Sequence, residues 1–405
     1  MMPSSLKLLV VDDTTTYRMI VRQAAEAIPG IEVVDFAANG RIALEKLNRL
    51  TIDVVLLDVE MPEMDGLTTL RHINERHPHI VVIMVSGASH SNANIVVECL
   101  NCGALDFVTK PLETDIDHSR KVLIGNLRPI LSVLVKQQGR KGLSKSGRGG
   151  AAAAVPWQRS GTPSTDASGG GSAVAESEQT PTAPPAGVAD AKPAINRKPI
   201  PGSGQSSPNW DKSPALLLIG ASTGGPAALT QILKGLGSGL PIPVLIVQHM
   251  PPMFTASLAA QLSRTTSLVV EEATDDQEVK ADRILLAPGG RHLSVKRQGR
   301  SLRTVLHDGP KVNGCRPAVD VLFLSVMASF AEPTLAVVLT GMGTDGANGV
   351  SGLKRLGKTY CITQSRDSCV VYGMPRAVVE MGLSDAVVPL EQMGASIAKL
   401  CRARG

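Results

Sequence analysis

Short aliphatic runs alternate with stretches of helical period along most of this chain, and that alternation leaves few architectures open. In the first part, KLLVVDD, IEVVDFA, IDVVLLDVEMP, IVVIMVSG and LDFVTKP read as five strands. TYRMIVRQAAEAI, GRIALEKLNRL, GLTTLRHINERH and the stretch running into Cys102 read as the helices between them. Strands apolar on both faces and separated by helices imply a parallel sheet covered on each side. The pattern predicts a first α/β domain over residues 5–128.

Residues able to do chemistry fall where such a sheet collects them. Asp12 and Asp13 close the first strand, Asp58 the third, Ser86 the fourth, and Lys110, followed by Pro111, the fifth. The carboxyl ends of parallel strands share one edge, so the three acids converge there. Clustered carboxylates repel one another unless a cation neutralises them, and oxygen ligands with room for water suit Mg²⁺. That cation would also offset an incoming phosphoryl group, to which Lys110 could pair and the Ser86 hydroxyl donate. VVDD, LLDVEMPEMDG, MVSG and DFVTKP resemble the motifs of the response-regulator receiver family, over about residues 5–125. The resemblance implies a flavodoxin-like receiver whose Asp58 accepts phosphate from a histidine kinase. It further implies that Asp12, Asp13 and Asp58 hold Mg²⁺, with the Glu60 carbonyl completing the site, and that Ser86 and Lys110 transmit the signal. GASH, beginning just after Ser86, is an unusual detail of the output loop.

Between residues 139 and 213, Gly, Ser, Ala, Pro and Thr dominate and apolar periodicity disappears. A segment of that composition buries too little surface to offset its ordering entropy, which predicts a disordered linker. Its length gives wide reach and specifies no geometry. Order returns near Pro214. ALLLIGAS, PVLIVQHM, RILLAPG, HLSVKRQ, SLRTVLH, LAVVLTGMG and TYCITQS read as strands, with helices among them. The pattern predicts a second, doubly wound α/β domain over residues 214–403.

Within this second domain GASTGG, residues 220–225, follows a strand. Its first five residues fit G-x-S-x-G, which lifts a serine, here Ser222, out of a tight strand-to-helix turn. The same Gly-rich turn also suits a phosphate at a helix N-terminus. A non-catalytic phospho-switch with a nucleotide-binding second domain is therefore open at this point. His249 just beyond PVLIVQ and Asp345 in the loop after LAVVL favour hydrolysis. Together the three supply a nucleophile, a base and an orienting carboxylate at one sheet edge. The chain order is Ser, His, Asp, so the motif does not place the domain among the α/β-hydrolases, which run Ser, Asp, His.

IGASTGGP, VQHMP, LAPGGRHL, NGCRPAVDVLF, LTGMGTDGA and YGMPRAV resemble the catalytic domain of chemotaxis protein-glutamate methylesterases, over about residues 213–403. The resemblance implies Ser222, His249 and Asp345 as the triad, with Thr223 beside it and the Met342 amide as an oxyanion donor. It implies hydrolysis of glutamate 5-O-methyl esters on methyl-accepting chemoreceptors, with release of methanol and no cofactor for the ester step. Some relatives also deamidate glutamine at such sites. Cys315 stands where His is frequent in this motif, and Asp320 and Arg316 read as structural or substrate-orienting. An unphosphorylated receiver that covers the catalytic face is a further expectation of the resemblance.

Composition removes other classes. Aromatics are 2 % of the chain and the net charge of +5 is spread over 405 residues, which does not describe a nucleic-acid binder. No helix-turn-helix pattern follows the first domain. The N-terminal apolar run is short and ends in two aspartates, and no stretch is long enough to span a bilayer, so the reading is a cytoplasmic protein with no membrane insertion. The six cysteines are then expected reduced, with Cys99 and Cys102 a helical pair rather than a metal site.

Overall fold

The computed structural model describes residues 5–87, 89–111, 115–144, 213–237 and 240–402. The first domain runs β1 (Leu6–Val11), α1 (Thr15–Glu26), β2 (Ile31–Ala37), α2 (Gly40–Leu47), β3 (Val54–Asp58), α3 (Gly66–Arg76), β4 (Val81–Ser86), α4 (His90–Asn101), β5 (Asp106–Thr109) and α5 (Ile116–Ser144). Its five strands are parallel, in the order β2-β1-β3-β4-β5. The order reverses between β1 and β3, the two strands whose ends carry Asp12 and Asp58. Alternate residues of β3 enter different cores: Val55 and Leu57 join one apolar cluster, Val54 and Leu56 another. Burial on both faces is what the unbroken aliphatic strands required.

Helix α5 corrects the expected boundaries. It continues to Ser144, beyond both the predicted domain end at residue 128 and the predicted linker start at residue 139. Leu123, Leu127, Ile130, Leu131 and Leu134 keep helical spacing on one buried face, packed with α1, which carries the helix past Pro129. The rest of the predicted linker, residues 145–212, lies outside the described residues.

The second domain comprises β6 (Leu216–Ala221), α6 (Gly225–Leu236), β7 (Val244–Gln248), α7 (Phe254–Thr266), β8 (Val269–Glu272), β9 (Arg283–Leu286), β10 (His292–Gln298), β11 (Ser301–His307), α8 (Val319–Ser329), β12 (Thr334–Val338), α9 (Ala347–Lys354), β13 (Thr359–Gln364), α10 (Met374–Glu380), β14 (Ala386–Val388) and α11 (Leu390–Arg402). Seven parallel strands stand in the order β14-β13-β12-β6-β7-β9-β8, and β10 and β11 form a separate antiparallel hairpin. Leu217 and Ile219 face a core shared with α6, α7 and α11, while Leu216 and Leu218 face one shared with α8, α9 and α10. The sheet is therefore doubly wound. Its order reverses at β6, flanked by β12 and β7, and the crevice beyond these three strand ends is where such sheets bind ligands.

The two sheets belong to one packed body. Helix α4 of the first domain packs on α6 and α7 of the second, and the first apolar cluster runs through both. Phe107 on β5 lies against the fully buried Phe254 of α7, with ring centroids 4.5 Å apart. Asn101 Oδ1 accepts from Thr230 Oγ1 at 2.9 Å.

Candidate active site

The three receiver acids converge as the strand ends required. Carboxylate oxygens of Asp12, Asp13 and Asp58 lie within 4.8 Å of one another, with Asp12 and Asp58 buried and Asp13 exposed. Lys110 Nζ bridges the two buried acids, 2.7 Å from Asp12 and 2.6 Å from Asp58, over the ring of Tyr17. Burial pushes the Asp58 carboxyl up to about 6, although Lys110 draws it down. Burial would lower Lys110, but Asp58 and Asp12 outweigh it and hold the ammonium up. A hard, all-oxygen donor set with two buried carboxylates and one exposed fits Mg²⁺. Ser86 is buried at the end of β4 and donates to its neighbour, the Gly87 carbonyl, at 3.1 Å. The Lys110 amide donates to the Ser86 carbonyl at 2.7 Å, so β4 and β5 end together at the pocket.

At the second sheet, each candidate catalytic residue follows one of the three strands at the reversal. Ser222 follows β6 directly, His249 follows β7, and Asp345 lies in the loop between β12 and α9. The His249 amide donates to the Ala221 carbonyl at 3.0 Å and the Ser222 amide to the Thr340 carbonyl at 3.1 Å, which ties the three loops together. Gln248 Nε2 donates to the Ser222 carbonyl at 2.9 Å. Gly224 adopts φ +76°, and a Cβ there would lie 2.7 Å from Val370 Cβ, so the turn after Ser222 needs glycine twice over.

His249 and Asp345 are bonded, Nε2 to Oδ2 at 2.8 Å. Asp345 also accepts from the amides of Val319 (2.6 Å) and Asp320 (3.0 Å) at the start of α8, and from Asn313 Nδ2 (2.9 Å). Burial raises the Asp345 carboxyl, but His249 and these N–H groups overcome it and hold it below the ordinary range. Burial likewise lowers His249, yet the Asp345 bond and the neighbouring Cys315 raise it to about 9.

The other ring nitrogen is where the geometry departs from expectation. His249 Nδ1 faces Cys315 Sγ at 3.4 Å, and among the described residues Ser222 Oγ makes no hydrogen bond. The Ser–His contact of an armed triad is open in this state, as catalytic contacts often are without substrate. Thr223 is also committed: its Oγ1 donates to Asp106 Oδ2 of the first domain at 2.6 Å. The Met342 amide makes no hydrogen bond among the described residues and is free to donate.

Asp320 accepts from the amides of Gly346 and Gly349 and from Asn313 Nδ2, and Arg316 donates to the carbonyls of Asp308 and Gly309. Both therefore hold loops. Asn313 and Asp106 were not singled out from sequence. Asn313 lies in the NGCRPAVD motif, but nothing in its type signals a bridge between two acids. Asp106 opens a strand in a different domain.

A sheet with a carboxylate cluster at its strand ends, packed on a second sheet that gathers Ser222, His249 and Asp345 at its reversal point, has the form of a receiver joined to a hydrolase. The family model for the response regulator receiver domain matches residues 8–118, and that for CheB methylesterase matches residues 217–397. A protein-glutamate methylesterase/protein-glutamine glutaminase of Treponema denticola is 35 % identical over 392 residues, 97 % of this chain and 97 % of the relative. One of Symbiobacterium thermophilum is 38 % identical over 398 residues, covering 97 % and 96 %. The crystal structure of the Thermotoga maritima CheB methylesterase catalytic domain is 40 % identical, spans 46 % of this chain and 99 % of that one, and has a TM-score of 0.45. The chain belongs to the protein-glutamate methylesterase/protein-glutamine glutaminase family.

Proposed function

We propose that this protein hydrolyses glutamate 5-O-methyl esters on the cytoplasmic segments of methyl-accepting chemoreceptors, releasing methanol, and that phosphorylation of Asp58 by a histidine kinase governs the rate. The observation that carries the reading is the His249–Asp345 bond beside Ser222 at the sheet reversal, in a chain whose full-length relatives bear that activity in their names. Ser222 Oγ would attack the γ-carbonyl carbon as His249 Nδ1 takes its proton. The Met342 amide would donate to the oxyanion. His249 would return the proton to the departing methoxide, and water would repeat the sequence on the acyl-enzyme. Glutamine deamidation is the same attack with ammonia leaving, and the relatives' names couple the two activities.

A cation held by Asp12, Asp13 and Asp58 would neutralise charge as Asp58 takes up phosphate. Reaction with a receptor segment and a kinase puts the protein in the cytoplasm, and among the described residues no helix is long and apolar enough to cross a membrane. The docked receiver supports control by occlusion. Thr223, next to Ser222, is bonded to Asp106, while Phe107, on the strand that runs to Lys110, lies against Phe254 and α4 packs on α6 and α7. Phosphorylation would shift the population from docked to open forms. The test is methanol release from methylated receptor by wild type and a folded Ser222→Ala variant. The variant should be inactive, and near-normal release from it removes Ser222 as the nucleophile.

A further inference from the structure

Cys315 stands apart from the other five cysteines. Cys99, Cys361 and Cys401 are buried. Cys102 and Cys369 are half-buried, but burial pushes the Cys102 thiol up and the Cys369 thiol to about 12. Cys315 is half-buried, and its Sγ is 3.4 Å from Nδ1 of an imidazole whose side chain is only 10 % exposed. That imidazole's other nitrogen is fixed on Asp345 at 2.8 Å. Among the described residues Nδ1 has no other partner. Sulfur, imidazole and carboxylate thus form a chain of the kind that activates thiols, built from the same base and acid that would serve Ser222.

We propose that Cys315 is a redox-modification site: a His249-paired thiol that hydroperoxides convert to a sulfenic acid, disabling the hydrolase reversibly. Sγ lies 3.4 Å from Nδ1, within reach for its proton to pass to the imidazole as the sulfur reacts. The sulfur attacks one peroxide oxygen, an S–O bond forms and the O–O bond breaks. The departing hydroxide takes the proton from Nδ1 and leaves as water. Sulfur loses two electrons and the peroxide gains them, so thiol plus hydrogen peroxide gives sulfenic acid plus water. The product carries an oxygen and a hydroxyl proton against Nδ1, which keeps His249 from accepting the Ser222 proton. Two external thiol groups restore the cysteine: the first displaces the hydroxyl as water and forms a mixed disulfide, and the second frees the Cys315 thiol and leaves as the external disulfide.

The experiment treats full-length protein with limiting hydrogen peroxide, traps sulfenic acid with dimedone and maps it by peptide mass spectrometry. Cys315 should label at least about tenfold faster than Cys102 or Cys369, because of these half-buried sulfurs it is the one that faces an imidazole able to take its proton. His249→Gln should slow labelling of Cys315 by a similar factor. In a parallel sample without dimedone, wild-type methanol release should fall with peroxide in step with the Cys315 labelling and return with dithiothreitol, whereas Cys315→Ala should keep its own untreated rate through the same exposure. Equal labelling of the three half-buried thiols, labelling indifferent to His249→Gln, or equal peroxide loss in Cys315→Ala overturns the proposal. The ranking of thiols in wild type needs no variant to fold. Only the activity arm rests on the methylesterase reading; the labelling arm stands or falls without it.

Discussion

Replacing Asp345 by Asn isolates the interaction on which the whole constellation depends. His249 is held up to about 9, against an ordinary value of 6.5, because the Asp345 carboxylate, aided by Cys315, outweighs the burial that would otherwise lower it. A shift of that size corresponds to on the order of 3 kcal/mol at about 1.4 kcal/mol per pKa unit. The folded value lies above the unfolded one, so this stabilisation is fully present below pH 6.5 and is lost as pH rises through about 9. Asp345→Asn leaves the ring buried with only the thiol beside it, and its titration should fall to the ordinary range or below. NMR of the His249 ring carbon–hydrogen signal between pH 5 and 10, in both proteins, reads this directly. Kinetics provide a second reading: a base with a pKa near 9 is neutral in roughly 1 % of molecules at pH 7 and roughly 10 % at pH 8, so the ester rate should climb about tenfold per pH unit there. A wild-type titration at or below 6.5, or one that Asp345→Asn does not move, refutes the reasoning.

The remaining predictions concern the site and its control. Asp345→Asn should also lower kcat by roughly 10⁴-fold if the three residues act as a unit, measured as methanol release from methylated receptor. Asp58→Asn should neither incorporate phosphate from acetyl phosphate nor respond to it; stoichiometric incorporation with normal stimulation would place the acceptor elsewhere. Phe107→Ala removes a ring pair worth about 0.5–1.5 kcal/mol beyond its area, and should raise the unphosphorylated rate severalfold by loosening the docked receiver. A fragment beginning at Pro214, once shown to fold by circular dichroism, should exceed the unphosphorylated full-length rate and ignore the phosphodonor. A folded fragment slower than that enzyme would mean that the receiver activates by contact.

Much of this architecture was legible because burial on both faces writes itself into a strand as an unbroken aliphatic run. β3 and β6 are of that kind, as is β1 from Leu8 on, and the polar residues that follow or end them mark the two sites. The strands that escaped notice, β8 and β14, are short and at the two edges of the second sheet, and each carries an exposed position. Runs of four and three residues that are only partly buried are too short to produce the signal. Helix α5 runs past residue 128 because its apolar face continues beyond Pro129 with Ile130, Leu131 and Leu134. Ser222, His249 and Asp345 could be read from position after a strand. Asn313 could not, since its two bonds to Asp320 and Asp345 depend on how one loop folds over the start of α8. The Asp106–Thr223 bond is equally invisible in sequence, joining residues 117 positions apart across two domains.

The central claim is that a Ser222-dependent esterase is restrained by its own receiver until Asp58 carries phosphate. The most direct measurement is the initial rate of methanol release from methylated chemoreceptor by full-length protein, with and without acetyl phosphate and Mg²⁺, beside Ser222→Ala under the same conditions. The account predicts slow release without phosphodonor, a marked rise with it, and none from Ser222→Ala in either case. Release that is insensitive to the phosphodonor in a protein shown to be phosphorylated at Asp58, or that persists in Ser222→Ala, would contradict it.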